Sequence, residues 1–239
     1  MCIRYFRDSD IKRMREVFHL GNDKNLPLEI APSYNIAPTT MQPVVRNNPD
    51  SAGREMVAMR WGLVPHFAKS LADFKGISTF NARAETVTTS ATWREPFMHK
   101  RCLAPANGYY EWKKLDAKTK QAYAFALKGR EPFAFAGLWD AWKDPATGDW
   151  LQSFAMVTTE PNELAATIHD RMPVIIATQD YQRWLDPSFA PPLDLLKPYP
   201  ATQMRAWPVG VQVGSVHNNA SSLLDEIADM PQPHSLFPL

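Results

Sequence analysis

Cys2 stands directly after Met1, and that position gives it chemistry that an internal cysteine lacks. Cysteine is small enough that removal of the initiating methionine is the expected outcome, leaving an amine and a thiol on adjacent carbons. Such a 1,2-aminothiol attacks an aldehyde through its amine to give an imine, then closes a thiazolidine ring through its thiol, with no cofactor. Reference values of about 7.7–8.0 for an α-amine and about 8.5 for a thiol leave a reactive neutral-amine fraction near neutral pH. Position alone, however, favours the plainer reading of a frayed chain end. The other thiol, Cys102, lies in an apolar strand pattern and reads as a buried structural cysteine. Two cysteines in a chain of cytosolic character are expected to stay free. The six histidines show no HExxH spacing and the cysteines no CxxC, so no metal is expected, and with GxGxxG, GxSxG and phosphate-loop motifs also missing no cofactor is expected either.

A reactive residue needs elements that hold partners around it. A chain of 239 residues, 45% of them apolar, can bury a sizeable core, and one domain over 1–239 with an irregular tail over 225–239 is expected. The segment DSDIKRMREVFHL predicts a short helix, with Asp8 or Ser9 as N-cap, Ile11, Met14, Val17 and Phe18 on one face, and Gly21 as a stop. Strands are predicted in MQPVVRN, REMVAMRWGLV, RCLAPANGYYEWKK, QAYAFALK, PFAFAGLWD and LQSFAMVTT, bounded by turn residues such as Asn107-Gly108 and Thr147-Gly148. Short helices are predicted over 163–168, 180–185 and 192–197. The class is α+β, with a curled, barrel-like mixed or antiparallel sheet flanked by short helices. Net charge is +1, which argues against bulk electrostatic coating of nucleic acid. Arg4, Arg60, Arg83, Arg94, Lys100, Arg101, Lys113 and Lys114 nonetheless fall in or beside the polar motifs, where they could line a local basic groove. The start MCIRYFRDSD is charged and no apolar run reaches membrane-spanning length, so a soluble, cytoplasmic protein is expected.

Five blocks mix polar residues with aromatics and prolines: SYNIAPT at 33–39, RWGLVP at 60–65, NARAET at 81–86, RCLAPANGYYEW at 101–112 and IHDRMP at 168–173. Together with the opening Met1-Cys2 they closely resemble the SRAP family, SOS response-associated peptidases understood as abasic-site-processing proteins, over about residues 2–224. The resemblance implies Cys2 as a nucleophile that crosslinks to the ring-opened aldehyde of an abasic site in single-stranded DNA. It further implies Asn81, Glu111 and His169 as its catalytic partners, a monomeric protein, and a place at the bacterial nucleoid or replication fork. Each role has a physical basis. Glu111, on a strand among aromatics, is partly desolvated and can move protons during imine formation. His169 can shuttle a proton to the sugar ring oxygen and open the cyclic hemiacetal. Asn81 offers a donor and an acceptor to hold the amine or the sugar hydroxyls. For DNA contact, guanidinium forks make Arg4, Arg83 and Arg171 the candidates on phosphates, joined by Asn35, with Pro38 and Trp61 or Phe67 wedging or stacking beside the lesion and a core role equally open for Trp61.

The chain departs from the family at three places. Ile3 stands where the family carries glycine, so a β-branched residue follows the nucleophile. His66-Phe67-Ala68 follows the RWGLVP block, where a tryptophan is usual. The segment 214–219 matches only loosely and is assigned a structural role. Two further readings stay open: a cysteine peptidase or N-terminal-nucleophile hydrolase whose groups also remove Met1, and a non-covalent module binding single-stranded DNA.

Overall fold

The computed structural model describes residues 2–21, 30–48, 53–74 and 79–230. In chain order the strands and α-helices are β1 (Tyr5–Arg7), α1 (Ile11–Phe18), β2 (Ser33–Ile36), β3 (Met41–Asn47), β4 (Arg54–Trp61), β5 (Asn81–Arg83), α2 (Arg94–His99), β6 (Arg101–Ala106), β7 (Gly108–Lys114), β8 (Lys120–Leu127), β9 (Phe133–Lys143), β10 (Trp150–Thr159), α3 (Glu163–Ala166), β11 (Met172–Pro173), β12 (Ile175–Ile176), α4 (Tyr181–Leu185) and β13 (Met204–Val209). Five of the strands pair in a ring: β3 with β4, β4 with β10, β10 with β9, β9 with β6, and β6 back to β3. Only the β4–β10 pairing in this ring is parallel, so the barrel is mixed. β5 continues beside β10, also parallel, with Asn81 opposite Met156. A second sheet, antiparallel throughout, has the order β13-β8-β7-β1-β2. With short helices at its margins the fold is the α+β, barrel-like arrangement expected.

Strand alternation divides the core. On β9 and β10, Ala136, Leu138, Ala155 and Val157 face a cluster that includes Phe18, Phe97, Tyr181 and Trp184 of the helices. Phe135, Phe154 and Met156 face the opposite way, into a cluster with Tyr5, Tyr109 and Phe125 of the second sheet. Full burial of such aromatics is worth roughly 1.5–3 kcal/mol each in area removed from water, and it ties both sheets into one core.

Local details differ from the sequence expectations. Asp10, and not Asp8 or Ser9, caps α1 by accepting the Arg13 N–H at 2.8 Å, because Ser9 Oγ is taken up by the Asn107 side chain. The helix ends on His19 in the left-handed region (φ 52°), before Gly21. Asn107-Gly108 is not a hairpin turn. It is the point where the chain leaves the barrel for the second sheet, with Asn107 Oδ1 accepting the N–H groups of Asp8 and Ser9. A Cβ on Gly108 would overlap the Phe6 ring and the Phe125 carbonyl, which explains the glycine. Only a 3-10 turn, Leu193–Leu195, forms within the helix expected over 192–197. Among the described residues no helix is long and apolar enough to cross a membrane.

Candidate active site

The segment that carries Cys2 is fixed by strand register. β1 pairs with β7, Tyr5 opposite Tyr109 and Phe6 opposite Gly108, and the Tyr110 N–H donates to the Arg4 carbonyl at 3.0 Å. That antiparallel register carries Cys2 toward Glu111. From the other side, the parallel β5–β10 pairing presents Asn81, whose Nδ2 donates to the Cys2 carbonyl at 2.8 Å. His169 follows α3, where its N–H closes onto the Ala165 carbonyl at 2.8 Å. Its Nε2 lies 3.8 Å from Glu111 Oε2. All four residues expected to act together therefore meet, although they come from four separate stretches of sequence.

Electrostatics at the site favour proton movement. Cys2 is 1% exposed, and its thiol is pushed well above the ordinary range, first by burial and then by the Glu111 charge. Burial, reinforced by the charge of Asp170, raises the Glu111 carboxyl to about 7. Thiolate and carboxylate thus disfavour each other, so the two do not carry charge together near neutral pH. Burial also holds the His169 imidazole below its ordinary range, so the neutral ring prevails near pH 7. The Arg171 backbone N–H donates to His169 Nδ1 at 3.1 Å, a contact that favours the neutral ring with its hydrogen on Nε2, facing Glu111, while Asp170 Oδ1, 3.1 Å from the same Nδ1, favours the other tautomer. Asn81 Oδ1 is buried without a hydrogen-bond partner among the described residues, an acceptor aimed into the same neighbourhood.

A cleft of about 420 Å³ opens beside these groups, lined by Ile3, Arg4, Glu111, Trp112, Lys120, His169 and Gly214. Ile3 is half-exposed at its rim, and its φ is not positive, so no left-handed strain follows from the missing glycine. Lys120, Trp112 and Gly214 were not picked out as site residues from sequence. Trp112 and Lys120 flank the hairpin of β7 and β8, and a register drawn from Glu111 would have found them. Gly214 belongs to a loop that matched the motif blocks only loosely, and two networks bind it to the site. Arg4 donates to Asn35 Oδ1 and to the carbonyls of Val213 and Gly214, at 3.0–3.3 Å. Asn219 Oδ1 accepts from the N–H groups of Tyr34 and Asn35.

The residues expected to touch DNA differ in where they lie. Trp61 is fully buried, donating its indole N–H to the Phe80 carbonyl within the core, so it cannot stack on a base. Asn35 is buried too, and its amide donates to the carbonyls of Val213, Ser215 and Asn218, which makes it a loop anchor. Arg101, counted with the basic groove, is interior and donates to the carbonyls of Phe97, Met98, Trp184 and Asp186. Arg171 forks onto Glu85, at 2.5 and 3.0 Å. Phe67 is 53% exposed, Arg83 is exposed and Pro38 is partly exposed, so these three remain open to solvent. Cys102 is buried and unpaired, with its thiol raised by burial.

Fold and cleft define a mixed-barrel α+β protein with an acid-base pair beside a buried thiol. The model for the SOS response associated peptidase (SRAP) family matches residues 1–216, and the chain belongs to that family. It is similar to the abasic site processing protein YoqW of Bacillus subtilis (strain 168), with 40% identity over 229 residues covering 94% of this chain and 99% of that protein. Similarity extends to the abasic site processing protein HMCES of Xenopus tropicalis, with 30% identity over 222 residues, 82% of this chain and 66% of that protein. A crystal structure of a protein from Bacteroides thetaiotaomicron superposes with a TM-score of 0.83 at 25% identity, covering 95% of this chain and 100% of that one.

Proposed function

We propose that this protein processes abasic sites in DNA by joining itself covalently to them through Cys2. The observation that carries this reading is the convergence of Cys2, Asn81, Glu111 and His169 at one cleft, where Asn81 holds the Cys2 carbonyl and Glu111 lies 3.8 Å from His169. Relatives named for abasic-site processing support the substrate. While Met1 is attached, the Cys2 nitrogen is an amide and cannot attack; hydrolysis of that one peptide bond releases methionine and frees the amine. The free nitrogen then adds to the C1′ aldehyde of the opened sugar, and loss of water gives the imine. The thiol adds across the carbon–nitrogen double bond, its sulfur to carbon and its proton to nitrogen, closing the thiazolidine. Glu111, near neutrality, takes and returns protons in these steps, while His169, with its hydrogen on Nε2, donates toward the sugar oxygen. The same pair would serve the removal of Met1.

Single-stranded DNA suits the cleft because an abasic nucleotide has no base to unstack and no complementary strand to displace. Arg83, Phe67 and Pro38, open to solvent, are the flanking contacts of choice. Intact mass before and after incubation with an abasic single-stranded oligonucleotide tests the whole reading. Loss of Met1 is expected with or without DNA, and a gain equal to the oligonucleotide minus one water is expected only with the abasic strand. Cys2→Ala should give no heat-stable adduct. A processed wild-type chain that forms none overturns the covalent reading.

A further inference from the structure

Arg171 carries out two tasks with one residue. Its backbone N–H fixes His169 Nδ1 at 3.1 Å, while its guanidinium is tied down by Glu85, at 2.5 and 3.0 Å, and by the Thr158 carbonyl at 2.8 Å. The ion pair is half exposed on the Glu85 side, so its direct contribution to stability is small. What a bidentate fork supplies is geometry. Glu85 stands four residues after Asn81, at the end of the same short stretch, so one segment holds the Cys2 carbonyl and the strut behind His169.

We propose that Glu85 is a positioning residue that sets the tautomer of His169 through Arg171. The proposal rests on the reading of His169 as part of the reactive cleft. His169 Nδ1 lies between a donor, the Arg171 N–H, and an acceptor, Asp170 Oδ1 at 3.1 Å. With Arg171 in place, Nδ1 accepts, and the neutral ring carries its hydrogen on Nε2. His169 is then a donor at the cleft. If Arg171 drifts, the ring is free to turn its hydrogen to Nδ1 and Asp170, and Nε2 becomes an acceptor facing Glu111 across 3.8 Å. The cleft would then hold two acceptors where ring opening requires a donor to the sugar oxygen. A carboxylate outside the cleft thereby decides which way the proton runs inside it.

The test pairs two readouts on folded Glu85→Ala, Glu85→Gln and Glu85→Asp variants. Long-range ¹H–¹⁵N correlation of the His169 ring, at a pH where the ring is neutral, reports the tautomer without any DNA. The wild type should show hydrogen on Nε2, Glu85→Ala a mixture, and Glu85→Asp a return toward the wild type. Adduct formation at saturating abasic DNA should slow about tenfold in Glu85→Ala while the half-saturating DNA concentration stays within about twofold. Glu85→Gln, which keeps one acceptor but no charge, should lie between and serves in place of Glu85→Ala if that chain does not fold. An unchanged tautomer overturns the proposal, as does a changed tautomer with an unchanged rate. A rise in the half-saturating concentration alone also overturns it, since Glu85 would then be tuning Arg171 for DNA. If the wild type forms no adduct, the functional reading fails, and the tautomer measurement still decides the role of Glu85.

Discussion

Two places in this protein set a buried carboxylate beside a histidine, and they behave oppositely. Asp140 and Glu111 are 1% and 3% exposed. Burial alone would raise both carboxyls. Asp140 is instead held below the usual carboxylate range, because Lys100 donates to Oδ1 at 2.6 Å and His66 donates to Oδ2 through its backbone N–H and through Nδ1. The Ala141 N–H completes the set. At Glu111 burial outweighs the backbone hydrogen bond from Trp112 and takes the carboxyl to about 7. Depth therefore does not decide whether an acid is structural or reactive. The donors that reach its oxygens do.

The comparison can be broken from either side. Glu111→Gln, which preserves shape and removes the titration, should slow adduct formation about 10²- to 10⁴-fold in a time course read by gel. The same change should stabilise the fold at alkaline pH. A carboxyl lifted from an ordinary 4.5 to about 7 costs the fold nothing below the lower value, where both states are protonated. Its penalty grows as pH climbs between those values and is constant above, at about 3 kcal/mol. Denaturant unfolding of the variant and the wild type at pH 5 and pH 9 should thus show most of the gap at the higher pH.

At the other centre the signs reverse. Asp140→Asn should leave the adduct rate within about twofold but lower stability by about 3 kcal/mol, because Lys100 and His66 lose the charge they share. Since the native Asp140 pKa is depressed, that contribution is present above the ordinary aspartate value and disappears as pH falls through the lower, folded one. Lys100→Met should cost about 1–2 kcal/mol in the same unfolding assay, with Asp140 still held by His66. His66→Ala should cost under about 1 kcal/mol, since the backbone donor remains and the ring is half exposed. A His66 or Lys100 variant that lost adduct formation while folding normally would show that both acids belong to one machine.

The sequence carried the two centres unequally. Cys2, Asn81, Glu111 and His169 were legible through the blocks that contain them, yet nothing local announced that Asp140 would bind His66 and Lys100, 74 and 40 residues away. The long strands β8, β9 and β10 could be read from their alternation of apolar and small residues. β1, β5, β11 and β12 span two or three residues, too few to show a period. β13 escaped for another reason. Pro208 punctuates its MRAWPV run, and a strand with proline survives here because it lies at the edge of its sheet. Trp61 shows how strand alternation decides between two readings of one residue, a stacking platform and a core side chain: Met59 and Trp61, two residues apart on β4, share the inward face of the strand. Ile3 is a restriction beside the nucleophile by residue type, yet its φ is not positive and no left-handed strain arises there.

The bond from Asn81 to the Cys2 carbonyl joins residues 79 apart, and β1 pairs with β7 more than a hundred residues downstream. During synthesis a segment that leaves the ribosome before its partners therefore waits for them to find its place. Until Gly108 and the strand after it emerge, Cys2 has neither neighbours to bury it nor a carboxylate to take its proton. A nascent or truncated chain holds its thiol in the open, without the carboxylate and amide that the completed fold sets beside it.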